Sequence, residues 1–328
     1  MNPHIFTRRP AVASLALALM LVSTTGAAAT LGGDTIRIVV PFAAGGSADQ
    51  TARLLASKLG PALGKIGVVD NKPGAGGQLG LQDVIRSAPD GHTLLVTPNG
   101  PVVVSPYLQK LAYDPSRDLT PVAMIAFVPS AIAVYQGTPW KTLADLIAAG
   151  KADPQPLQYS VPAIGTHMHL AGELLQSMTG ARLQAVPYRG TSQAAVAVAG
   201  GEVPMAISDL STLQPLAKSG RLRILALTGS RRTSTAPAIP TVAELGIQGY
   251  SADAWIGLFA PSGTPADLIR KMNAEVEKAL QQPDVKQTLS TAGLEPWSLS
   301  PSEMAQFLAT DAAKWKKVIQ DAHIKLDN

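Results

Sequence analysis

The sequence contains no cysteine, which excludes disulfide bonds, cysteine-ligated zinc, a cysteine nucleophile and a lipid-modified N-terminal cysteine. Charged residues are also scarce, at 15% of the 328 residues, against about 25% in an average protein. The formal net charge is +4 and falls to +2 without Arg8 and Arg9, so no basic surface for nucleic acid is expected. Hydrophobic residues make up 46%, which predicts a large core and excludes a disordered chain.

A membrane-spanning run is missing as well. The apolar run 11–22 has 12 residues, whereas a membrane helix needs about 20, and no other stretch is long and apolar enough. Arg8 and Arg9 precede this run, and an Ala-x-Ala ending follows it at Ala27 to Ala29. This order is typical of a secretory signal peptide, so we expect residues 1–29 to be cleaved from an exported protein.

Strand and helix patterns alternate along the rest of the chain. The predicted strands are 35–42, 65–69, 92–97, 157–160, 183–187, 203–208 and 223–228. The predicted helices are 47–60, 78–87, 166–179, 192–199, 265–281 and 302–322. Strands that alternate with helices predict an α/β fold whose sheets are mostly parallel.

An apolar run at 122–134 contains Pro129 and separates the two sets of strands. Proline lacks the N–H that a central strand donates, so we expect the chain to bend there and pass between two lobes. Residues 250–261 predict the return crossing. The expected first lobe comprises 30–128 plus 253–328, and the second comprises 129–252. The last two predicted helices are expected to pack on the first lobe.

The first candidate site is the loop at 42–50, between a predicted strand and a predicted helix. Ser47 and Gln50 match the capping box, and Gly45 and Gly46 remove side chains from the approach to the amides. A helix N-terminus has unpaired N–H groups and the positive end of the helix dipole, which together favour an anion. The loop is therefore a candidate anion site.

A comparable loop lies in the second set of strands. There Gly165 precedes Thr166, the expected N-cap of the next helix. Two such loops, one in each lobe, could hold one small anion between them. A third candidate is 187–192, where Thr191 or Ser192 is expected to cap a helix.

Other chemistries find little support in the sequence. His167 and His169 are two residues apart, so on a helix they face different directions, and His169 is expected to form a hydrogen bond within the helix N-terminus. The glycine run 74–80 is one residue off the dinucleotide fingerprint, and no phosphate-binding loop or nucleophile elbow occurs. We therefore expect no metal, no cofactor and no catalytic residue.

Six segments together resemble the Bug (TctC-like) family of periplasmic substrate-binding proteins of tripartite tricarboxylate transporters. They are 40–49, 70–77, 165–173, 186–190, 240–244 and 257–265. The resemblance covers nearly all of the chain after residue 29. It implies a periplasmic, monomeric protein of the Venus flytrap fold that closes on a small carboxylate and delivers it to membrane permease subunits.

The resemblance also implies which residues bind the ligand, through main-chain groups and ordered waters. Closure is expected to rotate the lobes about 127–130 and 252–257. The implied ligand-binding residues are Phe42, Ala44, Gly45, Gly46, Ser47, Asp49, Ser160, Gly165, Thr166, His169, Ser208 and Asp209.

The sequence departs from the family pattern at three places. Ala163 stands where many members have a second glycine, and 207–209 reads Ile-Ser-Asp where an acidic and an amide residue are usual. Ala197 stands where members that bind amino acids have an aspartate for the ligand ammonium. Because an unpaired buried charge costs several kcal/mol, the alanine predicts a ligand without a cationic amine.

Two alternative functions remain open at this point. One is a ligand-sensing periplasmic receptor for a membrane kinase, which would use the same site. The other is an exported serine hydrolase, with Ser47 as the nucleophile and His169 as its base.

Overall fold

The computed structural model describes residues 34–324, and the expected signal peptide lies outside them. The strands are β1 Thr35–Val40, β2 Ile66–Asn71, β3 Thr93–Pro98, β4 Leu119–Val128, β5 Ser130–Tyr135, β6 Leu157–Val161, β7 Leu183–Pro187, β8 Met205–Asp209, β9 Leu222–Leu227, β10 Ala254–Pro261 and β11 Glu295–Pro296. The helices are α1 Ser47–Ala62, α2 Gln78–Ile85, α3 Ser105–Leu108, α4 Pro115–Asp118, α5 Leu143–Ala152, α6 His167–Thr179, α7 Thr191–Ala199, α8 Leu210–Lys218, α9 Ala266–Gln281, α10 Pro283–Thr291 and α11 Pro301–Asp321.

These strands form two sheets, as the alternating pattern predicts. The first has six strands in the order β11-β4-β10-β3-β1-β2, and the second has five in the order β7-β6-β8-β5-β9. β1 pairs in parallel with β2 and β3, and β6 with β7 and β8. β10 and β5 are antiparallel to both of their neighbours, because each enters its sheet from the other one. The expected α/β fold of two mostly parallel sheets with flanking helices is confirmed.

Pro129 is the residue at which the chain leaves the first sheet for the second. It separates β4 from β5, and its carbonyl accepts a hydrogen bond from the N–H of Leu210 at 2.8 Å. The return runs from the end of β9 to β10, and every residue of β10 is buried. The apolar run at 122–134 is therefore two strands of two sheets that meet at a proline.

The topology brings the carboxyl edges of the two sheets together at this crossing. β4 is parallel to β3, so Val128 lies at the edge where β1 and β3 also end. β5 begins two residues later, after Pro129. Its first residue, Ser130, pairs with Asp209 at the carboxyl end of β8, the edge where β6 also ends. The loops that follow β1 and β6 therefore leave from two edges that meet at Pro129. In open α/β sheets this is the edge where ligands bind.

α11 packs on the first sheet, as expected, and on the second sheet's side as well. It contacts β4 and also α6, which flanks the second sheet. Trp255 of β10 donates its indole N–H to Asp311 at 3.0 Å, and both are buried. One hydrophobic cluster extends through residues of both sheets around this contact. α11 thus ties the two halves together, which the sequence pattern of one amphipathic helix did not show.

Within residues 34–324, no helix combines the length and the apolarity that crossing a bilayer requires.

Candidate functional site

The first candidate loop connects β1 to α1, and its residues 43–47 are exposed. Its expected capping box is wrong: the N-cap is Gly46, and among the described residues no side chain caps the first turn of α1. Instead Asp49 accepts the N–H of Gly45 at 2.9 Å, and the Gln50 amide donates to the Gly45 carbonyl at 3.1 Å. Asp49 and Gln50 therefore hydrogen-bond to Gly45 and not to the first turn of α1. Among the described residues, no side chain accepts the first-turn N–H groups of this helix.

Asp49 is a buried residue that holds this loop in place through hydrogen bonds. It is 3% exposed and also accepts hydrogen bonds from Arg53 at 3.0 Å and from Asn71 at 3.0 Å. Burial alone would raise the pKa of Asp49, but the hydrogen bonds from Arg53, Gly45 and Asn71 outweigh it and hold that pKa below its ordinary value. The carboxylate is therefore engaged within the protein and positions Gly45.

The second candidate loop connects β6 to α6. Thr166 is the N-cap of α6 and accepts the N–H of His169 at 3.4 Å, and Gly165 donates its N–H to Nδ1 of His169 at 3.1 Å. Gly165 has φ +82°, a conformation that glycine adopts without strain. The predictions of Thr166 as N-cap and of His169 as a hydrogen-bonded residue of the first turn are confirmed.

Ser160 and Ser208 lie behind these loops. Both are 0% exposed. The hydroxyl of Ser160 donates to the Ala194 carbonyl of α7 at 2.8 Å, and that of Ser208 has no hydrogen-bond partner among the described residues. Both side chains are therefore buried between the second sheet and its helices, and neither is exposed.

Asp209 belongs to a polar cluster beside the crossing. The Ser130 hydroxyl lies 3.1 Å from Nε2 of His167 and 3.3 Å from Oδ1 of Asp209, and both of the latter side chains are half-buried. Burial raises the pKa of Asp209 to about 6, and the hydrogen bond from Ser130 opposes this only in part. Burial lowers the pKa of His167 to about 4. The imidazole is therefore neutral and the carboxylate ionised at pH 7.

The third candidate loop, 187–192, forms no side-chain cap. The N-cap of α7 is Gly190 at φ +106°, so the expectation that Thr191 or Ser192 caps the helix is wrong. Ala197 is the seventh residue of α7, about 9 Å along the helix axis from the first. It lines a surface groove with Tyr188 and Glu202, and the N–H of Tyr188 donates to the carbonyl of Val161 at the end of β6 at 2.8 Å. The ligand without a cationic amine that this alanine favours stays a prediction.

Sequence reasoning missed three residues at these edges. Asn99 follows β3, is 3% exposed, and has an amide nitrogen with no hydrogen-bond partner among the described residues. The sequence feature that could have identified Asn99 is the run Pro-Asn-Gly directly after a predicted strand. Ser130 and His167 were named in other contexts, but their contact with Asp209 joins segments 37 and 79 residues apart. No local pattern reports such a contact.

In the part of the chain that the structure describes, no group of three or more histidine or carboxylate side chains is placed to hold a metal ion. The candidate site instead offers helix N-termini, two glycine-containing loops and one half-buried carboxylate. Main-chain N–H groups at helix starts bind anions.

Comparison with known proteins agrees with this geometry. Residues 51–324 match the model of the tripartite tricarboxylate transporter family receptor, TctC. Protein BugT of Bordetella pertussis is 35% identical over 319 residues, which cover 95% of this chain and 98% of BugT. R. palustris Rpa4515, solved with adipate, has a TM-score of 0.74 and 34% identity over 90% of this chain and 100% of its own. MatC from Rhodopseudomonas palustris, solved with malate, has a TM-score of 0.70 and 32% identity over 87% and 99%.

The family model covers most of the chain, and BugT matches it over nearly its full length. The proteins that it resembles are periplasmic solute-binding receptors and not enzymes. This chain is a member of the tripartite tricarboxylate transporter receptor family.

Proposed function

We propose that this protein captures a small carboxylate between its two lobes and delivers it to the permease subunits of a tripartite transporter. The observation that carries the proposal is the pair of loops, exposed at 43–47 and at 163–164, that begin α1 and α6 at the edges meeting at Pro129. In this proposal each loop presents first-turn N–H groups to the space between the sheets. A carboxylate placed there replaces its water with fixed donors and with the positive ends of two helix dipoles.

The proposed binding residues fall into two groups. Those that offer main-chain groups or exposed side chains are Phe42, Ala44, Gly45, Gly46, Ser47, Gly165 and Thr166. Those that hold the loops or lie at the base of the site are Asp49, Ser160, His169, Ser208 and Asp209. In this proposal Asp49 and His169 hold the two loops in place. Asp49 accepts a hydrogen bond from the N–H of Gly45, and His169 accepts one from the N–H of Gly165.

Closure over the ligand completes the proposed mechanism. The first lobe is taken as 30–128 plus 253–328 and the second as 129–252, with rotation at 127–130 and 252–257. The ligand shifts the equilibrium towards the closed form only by its greater affinity for that form. A permease that recognises the closed form would then receive loaded receptor only.

The class of ligand is supported by the solved relatives. Rpa4515 was solved with adipate and MatC with malate, at 34% and 32% identity to this chain. Both ligands are carboxylates, and the donors at the two loops suit that group. For this protein we infer a carboxylate ligand, and neither adipate nor malate in particular.

The proposal includes a location and an oligomeric state. We expect cleavage after residue 29 and a monomeric, periplasmic product that binds no nucleic acid. The hydrolase alternative is not retained, because relatives are receptors and because Nδ1 of His169 accepts the Gly165 N–H while its Nε2 lies 3.5 Å from Glu173.

The test is native mass spectrometry of residues 30–328 after gentle purification, followed by calorimetry with the compound that is retained. We expect one small carboxylate per monomer and a 1:1 titration. A retained neutral sugar, or failure to bind any carboxylate in a broad panel, would contradict the proposal.

A further inference from the structure

Asp209 is a carboxylate at the proposed ligand-facing edge for which the protein supplies no cation. Within residues 34–324, no Lys, Arg or His nitrogen lies within ion-pair distance of it, and its one hydrogen bond comes from the Ser130 hydroxyl. It ends β8, its side chain is half-buried, and Leu210 directly after it is held by the carbonyl of Pro129. The carboxylate therefore lies at the carboxyl edge of the second sheet, beside the crossing at Pro129.

The hydrogen positions in the Ser130–His167–Asp209 cluster determine which oxygen of Asp209 can accept a hydrogen bond from a ligand. The Ser130 hydroxyl has one proton and lies between Nε2 of His167 and Oδ1 of Asp209. Because an ionised carboxylate can only accept, Ser130 donates its one proton to Asp209, and the neutral imidazole is then the tautomer that donates from Nε2 to Ser130. This arrangement satisfies Oδ1 and leaves Oδ2 with no hydrogen bond from the described residues.

His167 also links this cluster to the second loop. It is the first residue of α6, whose N-cap is Thr166, so the cluster and the proposed carboxylate donors share one helix turn. A ligand whose carboxylate lies at this helix start has its neighbouring atoms near Asp209. A second carboxylate at that point would be repelled by Asp209, whereas a cation would be attracted.

In the sequence, Ala197 is the residue that favours a ligand without a cationic amine. In the fold, Ala197 lies about 9 Å along α7 from the first residue of that helix, whereas Asp209 ends β8 at the carboxyl edge itself. Asp209 therefore favours a ligand group of positive charge at this edge.

We propose that the ligand is a carboxylate bearing a cationic amine, with its carboxylate at the N-termini of α1 and α6 and its ammonium on Oδ2 of Asp209. This inference rests on the proposed function and specifies the ligand class of the same site. A charge that is desolvated without a partner is costly, and the ammonium removes that cost when the lobes close. A hydroxyl in the same place would donate one hydrogen bond but would not compensate the charge.

The test uses matched sets of three compounds that differ at one carbon. The sets are propionate, lactate and alanine; succinate, malate and aspartate; and glutarate, 2-hydroxyglutarate and glutamate. Each is titrated into the wild-type protein by calorimetry at pH 7. We expect the amine-bearing member of at least one set to bind at least about tenfold more tightly than the other two.

Asp209→Asn keeps the size of the side chain and removes its charge. We expect it to reduce the preference for the amine to about threefold or less, with Asp267→Asn, the same change at an exposed residue of α9, as the matched control that leaves the preference intact. An amine preference that survives Asp209→Asn, or a hydroxy or unsubstituted member that binds as tightly as the amine, would overturn the inference. If no member of any set binds and the compound retained in native mass spectrometry is a carboxylate without an amine, the inference fails while the proposed function stands.

A pH series on the wild-type protein gives a second readout that needs no variant. Protonation of Asp209 should weaken binding of the amine-bearing member about tenfold between pH 7 and pH 5, because a group of pKa about 6 is about one-tenth ionised at pH 5. His167, the titratable group that contacts the cluster from α6, stays mostly neutral over this range. Affinity that is constant between pH 7 and pH 5 would contradict the assignment to Asp209.

Discussion

Gly46 is the residue at which the first loop can be tested without disturbing its backbone. Its φ of −77° and ψ of 171° are open to any residue, and an added Cβ would come no closer than 3.9 Å to the Ala43 carbonyl oxygen. Gly45, by contrast, has φ +91°, where a side chain causes strain. A substitution at Gly46 therefore places bulk over the first-turn N–H groups and changes little else.

We predict that Gly46→Val raises the Kd for the retained carboxylate at least about tenfold, because the isopropyl group covers donors that a carboxylate needs. The free energy of unfolding should change by less than about 1 kcal/mol. Calorimetry and urea titration measure the two quantities. Gly200→Val, at the C-cap of α7 with φ −88°, is the control and should bind normally. Unchanged affinity of Gly46→Val would exclude the loop as a contact.

Asp49 allows a second prediction at this scale, on stability. Asp49→Asn weakens the buried hydrogen bonds from Gly45 and Arg53, so we expect a loss of about 1–3 kcal/mol in the free energy of unfolding at pH 7. The pKa of Asp49 is lowered in the folded protein, so its contribution is present above the unfolded pKa and is lost as the pH falls through the folded one. Urea unfolding at pH 7 and pH 3 should show a difference between variant and wild type that shrinks with acid. A constant difference would mean that Asp49 acts by shape alone.

At the scale of elements, α6 shows why some parts were predictable from the sequence. Its start and end follow from Thr166 and from Gly180, which adopts φ +72° as the C-cap, and both signals are local. The start of α1 was also predicted correctly, but its cap was not, because the side chain that reaches back is Asp49 and not Ser47. The helices α3, α4, α5, α8 and α10 went unpredicted. The Ser130–His167–Asp209 cluster depends on three elements that only the tertiary fold brings together.

The position of α6 depends on Gly172. A Cβ at Gly172 would lie 2.4 Å from the Tyr159 ring, and this ring is held because its hydroxyl donates to the His169 carbonyl at 3.0 Å. We predict that Gly172→Ala costs about 1–3 kcal/mol of stability by overpacking and weakens ligand binding by displacing the N-terminus of α6.

Urea unfolding and calorimetry test this prediction, with Gly200→Ala as the matched control, since its Cβ would lie an ordinary 3.5 Å from the nearest atom. The double variant with Tyr159→Val should recover part of the stability. Normal binding and stability in Gly172→Ala would show that α6 tolerates a shift, and that its position is not set by this contact.

At the scale of the whole molecule, both carboxyl edges meet at Pro129, and this is what makes two distant loops one candidate site. The buried Trp255–Asp311 pair lies beside the crossing, where Trp255 pairs with Phe127, and α11 also contacts α6. Closure in the proposed mechanism must therefore bend the crossing segments while this packing is largely kept. Hinge motions of this kind concentrate in a few residues at the ends of elements, such as 127–130.

The most direct test of the central claim is a crystal structure of residues 30–328 with the ligand retained from the cell. We predict one carboxylate group within hydrogen-bond distance of N–H groups from both loops, 43–47 and 163–167. A ligand in the groove beside Ala197, or one bound by a single loop with the other turned away, would contradict the account.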